Sequence, residues 1–225
     1  MGSTVIHLAG IVGTDKVQDL SDSLSINVDA TLDFAQKCIN RGVARFIYVS
    51  TSHVYGPCDK PIDEATPTNP MSQYAKQKLL AEEGLSGLFD EDESTLVVTR
   101  LFSVLDNRMP DFSLGGVITR LMNNVNDEPV IVSNSEDRRD FLDLQTISDT
   151  LVRIGVSNIP GGVYNLCSGK TLTVRDAISR YLAHYGVTGV NALFDGANSQ
   201  VPSLAGRNNK LLEALPDLHI RWRYN

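Results

Sequence analysis

The sequence predicts an α/β fold built on a parallel sheet, and three observations predict it. Residues 4–8 and 44–50 are short apolar runs, the second rich in Phe, Ile, Tyr and Val, as in buried strands. Between them, residues 23–40 place Ile26, Val28, Leu32, Phe34, Ala35 and Cys38 in a mixed pattern compatible with a helix. A strand–helix–strand unit requires parallel pairing. The 225 residues, 42% hydrophobic and 21% charged, suffice for one ordinary core or for one core with a small lobe.

The remaining elements follow in order. Residues 61–70 are rich in turn formers and read as a loop, residues 72–88 as a helix and residues 95–101 as the next strand. Asn107 and Pro110 mark residues 100–111 as loop. Helices are expected at 118–125, 145–154 and 174–184, with short strands at 129–132 and 162–166. On this reading residues 1–101 hold the sheet core, and residues 102–225 form a smaller, mixed lobe with segments returning to the core. There are no internal repeats.

Composition narrows the function classes. A net charge of −7 disfavours polyanion binding, so nucleic acid is not an expected partner. Cys38, Cys58 and Cys167 are widely spaced and odd in number, without CxxC or a nearby histidine pair, which suggests neither a disulfide framework nor a metal site. They read as reduced thiols of a cytoplasmic protein. No apolar run approaches the roughly 18 residues of a membrane helix, so no membrane partner is expected.

The chemistry concentrates at residues 49–56, VSTSHVYG, and at Tyr74-Ala-Lys-Gln-Lys78. Residues four apart share a helix face, so the Lys78 ammonium is expected close to the Tyr74 phenol, favouring phenolate. A tyrosinate is a base, and Thr51 would hold the hydroxyl it deprotonates.

Together these residues resemble the extended short-chain dehydrogenase/reductase family, the nucleotide-sugar epimerase/dehydratase group, whose members carry Ser or Thr before xxVYG and then YxxxK. Further matches in family order are VIHLAG at 5–10, NVDAT at 27–31, TRLF at 99–102, RDF at 139–141 and YNLCSGKTLTVRDA at 164–177. The resemblance implies a Rossmann-like parallel sheet with a smaller C-terminal substrate lobe, and NAD or NADP as cofactor. It implies catalytic roles for Thr51, Tyr74 and Lys78. Cofactor contacts would fall to Leu8, Ala9, Gly10, Asn27, Ser50, Tyr74, Lys78 and Leu101, and contacts to a nucleotide-sugar substrate to Thr51, Ser52, Ser103 and Arg139.

Three departures from the family pattern matter. Such a domain opens with G-x-G-x-x-G or G-x-x-G-x-x-G, whose glycines admit the pyrophosphate to a helix N-terminus. Here Gly10-Ile-Val-Gly13 is the only early Gly-x-x-Gly, after a strand that resembles the family's fourth. The expected fold is therefore N-terminally incomplete by roughly 60 residues, at about 30 per βα unit. Residues 4–8 become an edge, and an unpaired apolar edge predicts a homo-oligomer. Second, Thr51-Ser52-His53 stands where 4,6-dehydratases carry a carboxylate, which disfavours dehydration and leaves epimerisation or keto-sugar reduction; His53 is a candidate replacement acid. Third, Ser103 replaces an Asn, and GANSQ at 196–200 replaces an Arg-containing clamp, so Arg139 is the expected diphosphate contact. Alternative readings are a catalytically inactive relative serving as a binding or regulatory module, and a ketoreductase on a non-nucleotide substrate.

Overall fold

The computed structural model describes residues 2–12, 20–90, 95–123, 128–196 and 204–224. In chain order its elements begin with β1 (Ser3–His7), then α1 (Leu20–Leu24), which runs through a π-helical turn (Ser25–Asp29) into α2 (Ala30–Ile39). Next come β2 (Val43–Thr51), a 3-10 turn (Ser52–Val54), α3 (Gln73–Phe89), β3 (Thr95–Leu101), β4 (Ser103–Val104) and α4 (Leu114–Met122). The chain continues through β5 (Val130–Val132), β6 (Arg138–Leu142), α5 (Leu144–Val156), β7 (Gly162–Leu166) and β8 (Thr171–Thr173). It ends with α6 (Val174–His184), β9 (Ala192–Phe194) and α7 (Asn209–Ala214).

Four strands form a parallel sheet in the order β1-β2-β3-β7. Side chains alternate across a strand, so β2 feeds two cores at once. Ile47 and Val49 pack with Val97 and Leu166 against Leu151 and Ile154 of α5. Phe46 and Tyr48 face the other way, onto Ala35 of α2 and Ala81 and Leu85 of α3. Burial on both faces explains why β2 reads as a continuous apolar run rather than an alternating one. A separate core joins Ile118 and Leu121 of α4 to Phe141, Ile178, Tyr181 and Trp222. Of two small sheets, β4-β6-β8 bridges the cores, with Val104 and Leu142 in the first and Phe141 and Leu172 in the second, while β5-β9 packs in the second.

Several sequence expectations shift. Helix α4 begins at Leu114 rather than near 118, because Ser113 caps it, its Oγ accepting from Gly115 N at 3.1 Å and Gly116 N at 3.4 Å. Residues 100–111 are not wholly loop, since Ser103 and Val104 pair with Phe141 and Leu142. Strands β6, β8 and β9 and helix α7 were not expected: they are short, carry charge or lack periodicity, and form only because distant segments supply their partners. Strand β1 is an edge of the sheet as expected, paired with β2 alone.

All four sheet strands run the same way, so their C-terminal ends share one edge, with Thr51 opposite Leu101 in register. That edge of a parallel sheet is where α/β proteins gather their ligands.

Candidate active site

Helix α3 delivers three polar side chains to one face. Ser72 caps it, its Oγ accepting from Ala75 N at 3.1 Å. Tyr74, Lys78 and Glu82 then follow at four-residue spacing and turn together towards the sheet. The Tyr74 hydroxyl makes no hydrogen bond among the described residues and lines an open cleft, and burial pushes its phenol above the usual value. Among the described residues no hydrogen bond joins it to Lys78. Lys78 Nζ donates to Val49 O at 2.7 Å and sits 4.3 Å from the Tyr48 ring centroid. Burial lowers Lys78 to about 8, opposed by the Glu82 charge. Burial thus holds Tyr74 as a protonated phenol at neutral pH.

Thr51 ends β2 and is buried, its Oγ1 accepting from His53 N at 3.3 Å to cap the 3-10 turn. The turn closes at Gly56, whose φ of 69° lies in the left-handed region. A Cβ there would lie 2.2 Å from Asn69 O, so both conformation and space require the glycine of VYG.

The cleft, of about 710 Å³, gathers Ser50, Thr51, Tyr74, Leu101, Ser103 and Arg139. Its opposite wall comes from the lobe: Phe112, Arg120, Ile131 and Asn134. A smaller pocket of about 230 Å³ shares His53, Ser103 and Arg139 with the cleft and adds Met71, Ser72 and Arg138. Arg139 pairs with Asp137 at 3.3 Å and keeps about a third of its side chain exposed, 35%. The crowding walls and then the Arg139 charge push the His53 imidazole down, so it is neutral near pH 7.

Other candidate residues stand apart from the cleft. Ser52 is buried behind the 3-10 turn. Leu8, Ala9 and Gly10 are exposed beyond the end of β1. Asn27, in the π-helical turn, is occupied with that segment: its Oδ1 accepts from Ile11 N at 2.7 Å, and its Nδ2 donates to Ile11 O at 3.0 Å and Gln77 Oε1 at 2.8 Å. It holds the loop after β1 onto α3. π-turns often mark functional sites, and this one aims Asn27 at the loop. Gly13 and residues 197–200 of GANSQ lie outside the described residues.

Sequence reading missed the polar layer beneath the cleft floor. Ser50 Oγ donates to Glu82, which also binds Arg100 in a fork, Nη2 to Oε2 at 2.6 Å and Nε to Oε2 at 3.1 Å. The spacing Tyr74, Lys78, Glu82 was a signal for Glu82. No sequence signal marks Phe112 or Arg120, whose place depends on how the lobe folds back.

The chain is similar to known proteins over most of its length. The model of the NAD dependent epimerase/dehydratase family matches residues 2–167. GDP-6-deoxy-D-mannose reductase from Pseudomonas aeruginosa is 30% identical over 183 residues, covering 77% of this chain and 60% of that protein. Mouse (Mus musculus) dTDP-D-glucose 4,6-dehydratase is 28% identical over 151 residues, covering 66% of this chain and 42% of that protein. The chain thus spans less than two thirds of the length of these curated relatives. Among solved structures, RMD from Pseudomonas aeruginosa complexed with NADPH superposes with a TM-score of 0.86 at 26% identity, covering 99% of this chain and 77% of that one. UDP-glucuronic acid 4-epimerase from Bacillus cereus shares the fold, with a TM-score of 0.83 at 23% identity, covering 99% of this chain and 71% of that one.

Proposed function

Because the chain belongs to the NAD-dependent epimerase/dehydratase family, a family of enzymes, we propose that it takes part in nicotinamide-dependent reduction of a keto-sugar carried on a nucleotide. The observation that carries this reading is Tyr74: a protonated phenol that faces the same cleft as Thr51, Ser103 and Arg139 and has no hydrogen-bond partner among the described residues. Reduction of a carbonyl needs a proton donor at the oxygen as hydride reaches the carbon, and a buried phenol is that donor. No carboxylate neighbours Thr51, which favours reduction, or epimerisation through a keto intermediate, over elimination of water.

The residues present fit the nicotinamide end of NAD or NADP. The cleft opens at the C-terminal edge of a parallel sheet, the Tyr74 hydroxyl lacks a partner among the described residues, and the Lys78 ammonium, one helical turn on, is held at Val49 O next to the cleft-lining Ser50. Tyr74 and Lys78 would hold that end, with Leu101 beside it and Leu8, Ala9 and Gly10 along its path. The nicotinamide, when bound, supplies or receives the hydride. Tyr74 passes its proton to the sugar oxygen, and Thr51 orients that oxygen. The Lys78 charge stabilises the phenolate left behind. Arg139 offers a guanidinium to the diphosphate by exchanging Asp137 for phosphate oxygens. Self-association is part of this reading, and a monomer by light scattering would refute that part.

The test is titration with NADPH and NADH, followed by cofactor oxidation in the presence of GDP- and dTDP-linked 4-keto-6-deoxy sugars. The reading expects micromolar binding of at least one nucleotide and turnover that Tyr74→Phe abolishes. Turnover surviving that change refutes the Tyr74 assignment, and no binding up to millimolar concentration supports the inactive-relative reading instead.

A further inference from the structure

Below the cleft floor lies a charged layer that the proposed chemistry does not use. Glu82 and Arg100 are both buried, their side chains 6% and 8% exposed. Neither meets the cleft. A buried ion pair seldom adds stability over apolar side chains of similar size, so folding energy alone does not account for its presence.

Its placement does. Ser50 and Arg100 are register partners on β2 and β3, and the next pair in register is Thr51 and Leu101. Successive strand residues point to opposite faces. The Ser50 hydroxyl and the Arg100 guanidinium therefore reach the α3 side and meet Glu82, directly beneath the strand ends Ser50, Thr51 and Leu101 that line the cleft. The same carboxylate lies one helical turn beyond Lys78. We propose that Glu82 is a positioning residue of this site: it clamps the ends of β2 and β3 to α3 and serves as the counter-ion of Lys78, a role that rests on the cofactor reading given above. The clamp extends further. Arg100 stacks 4.7 Å from the Tyr55 ring centroid, and the Tyr55 hydroxyl donates to Asn165 Oδ1 at 2.8 Å. Asn165 Nδ2 in turn donates to Ile62 O at 3.1 Å. Helix α3, the two central strands, the turn after β2 and β7 are thus joined by one polar chain.

Among the described residues the groups that face Lys78 are few. His7 approaches from β1 and is held neutral by burial and by the Lys78 charge itself. Tyr48 lies under the ammonium from β2, with its phenol raised by burial and so uncharged. Tyr74 precedes Lys78 on α3 and is protonated. Glu82 is the group whose negative charge supports the ammonium.

The experiment uses the full chain with lysine labelled at Cε and Nζ, the Lys78 resonance being assigned by its loss in Lys78→Met. NMR titration follows Lys78, and fluorescence titration follows NADPH binding. In Glu82→Gln the Lys78 midpoint is expected to fall by about one pH unit, and NADPH affinity by about tenfold. The double variant Glu82→Met with Arg100→Met replaces the pair by apolar side chains and guards against simple unfolding. It should keep both losses even where its melting temperature equals that of the wild type. Wild-type Lys78 titration and wild-type NADPH affinity in the double variant would overturn the proposal and reduce the pair to a structural feature. If the wild type itself fails to bind NADPH, the cofactor reading falls, while the Lys78 titration still decides whether Glu82 is its counter-ion.

Discussion

The two walls of the cleft are built differently. On the sheet side, Thr51 caps a turn, Lys78 is hydrogen-bonded to a strand carbonyl, and Ser50 is tied to a buried carboxylate. Each of these side chains is buried and held from at least one other element. On the lobe side, Phe112 and Ile131 are exposed, at 65% and 63%, and Arg139 is held by one ion pair at 3.3 Å. On the proposed function the difference separates two tasks. Proton transfer tolerates little error in position, so its groups stand on rigid elements with buried partners. Recognition of a polar ligand is better served by side chains that move to meet it, because bound ligand then completes their hydrogen bonds.

Substitutions on each wall should therefore fail in different ways. The largest effect is expected from Tyr74→Phe, which removes the proton donor: steady-state assay should show kcat lowered by about 10²–10⁴-fold, while the melting temperature stays near that of the parent. On the opposite wall, Arg139→Ala should raise KM for a nucleotide sugar by roughly tenfold or more with little change in kcat, the loss of about 1.5–3 kcal/mol for a charged hydrogen bond. A fall in kcat without a change in KM would erase the distinction between the walls.

Lys78 sharpens it through pH. Its folded value, about 8, lies below the 10.5 of a free lysine, so the native state gives up this proton first and the unfolded chain binds more protons above pH 8. The Lys78 contribution to stability should rise by about 1 kcal/mol from pH 8 to 9, read as the difference between wild type and Lys78→Met in urea denaturation. The difference is the readout because the raised Cys38 and Cys167 thiols act with the opposite sign over the same range in both proteins. The smallest expected effect compares the helix caps: Ser72→Ala at α3 and Ser113→Ala at α4 should each cost about 1 kcal/mol in denaturation. Ser72 lies two residues before Tyr74 on the same helix start, so Ser72→Ala should also lower turnover.

What the sequence by itself determined is local. The apolar runs at 44–50 and 95–101 specify buried parallel strands, because burial on both faces leaves no room for polar alternation. Tyr74, Lys78 and, unrecognised, Glu82 share a helix face because the α-helix brings every fourth residue round. The ordered motifs identified the family across most of the chain, and that identification holds.

Tertiary structure alone decided the rest. Periodicity placed Lys78 and Tyr74 on one face, but only the folded sheet ties the ammonium to Val49 O, and burial holds the phenol protonated. Asn27 carried a family role by motif, yet the loop after β1 folds back onto it and occupies its amide. Ser50 lines the cleft, yet its hydroxyl is bonded to Glu82 beneath it. Strands β6, β8 and β9 have too few residues, and β6 too much charge, to announce themselves, and exist because distant backbone supplies their hydrogen bonds. Short-range physics fixes which groups share a face; what each group then bonds to depends on segments far away in the chain, whose arrival only the folded molecule records.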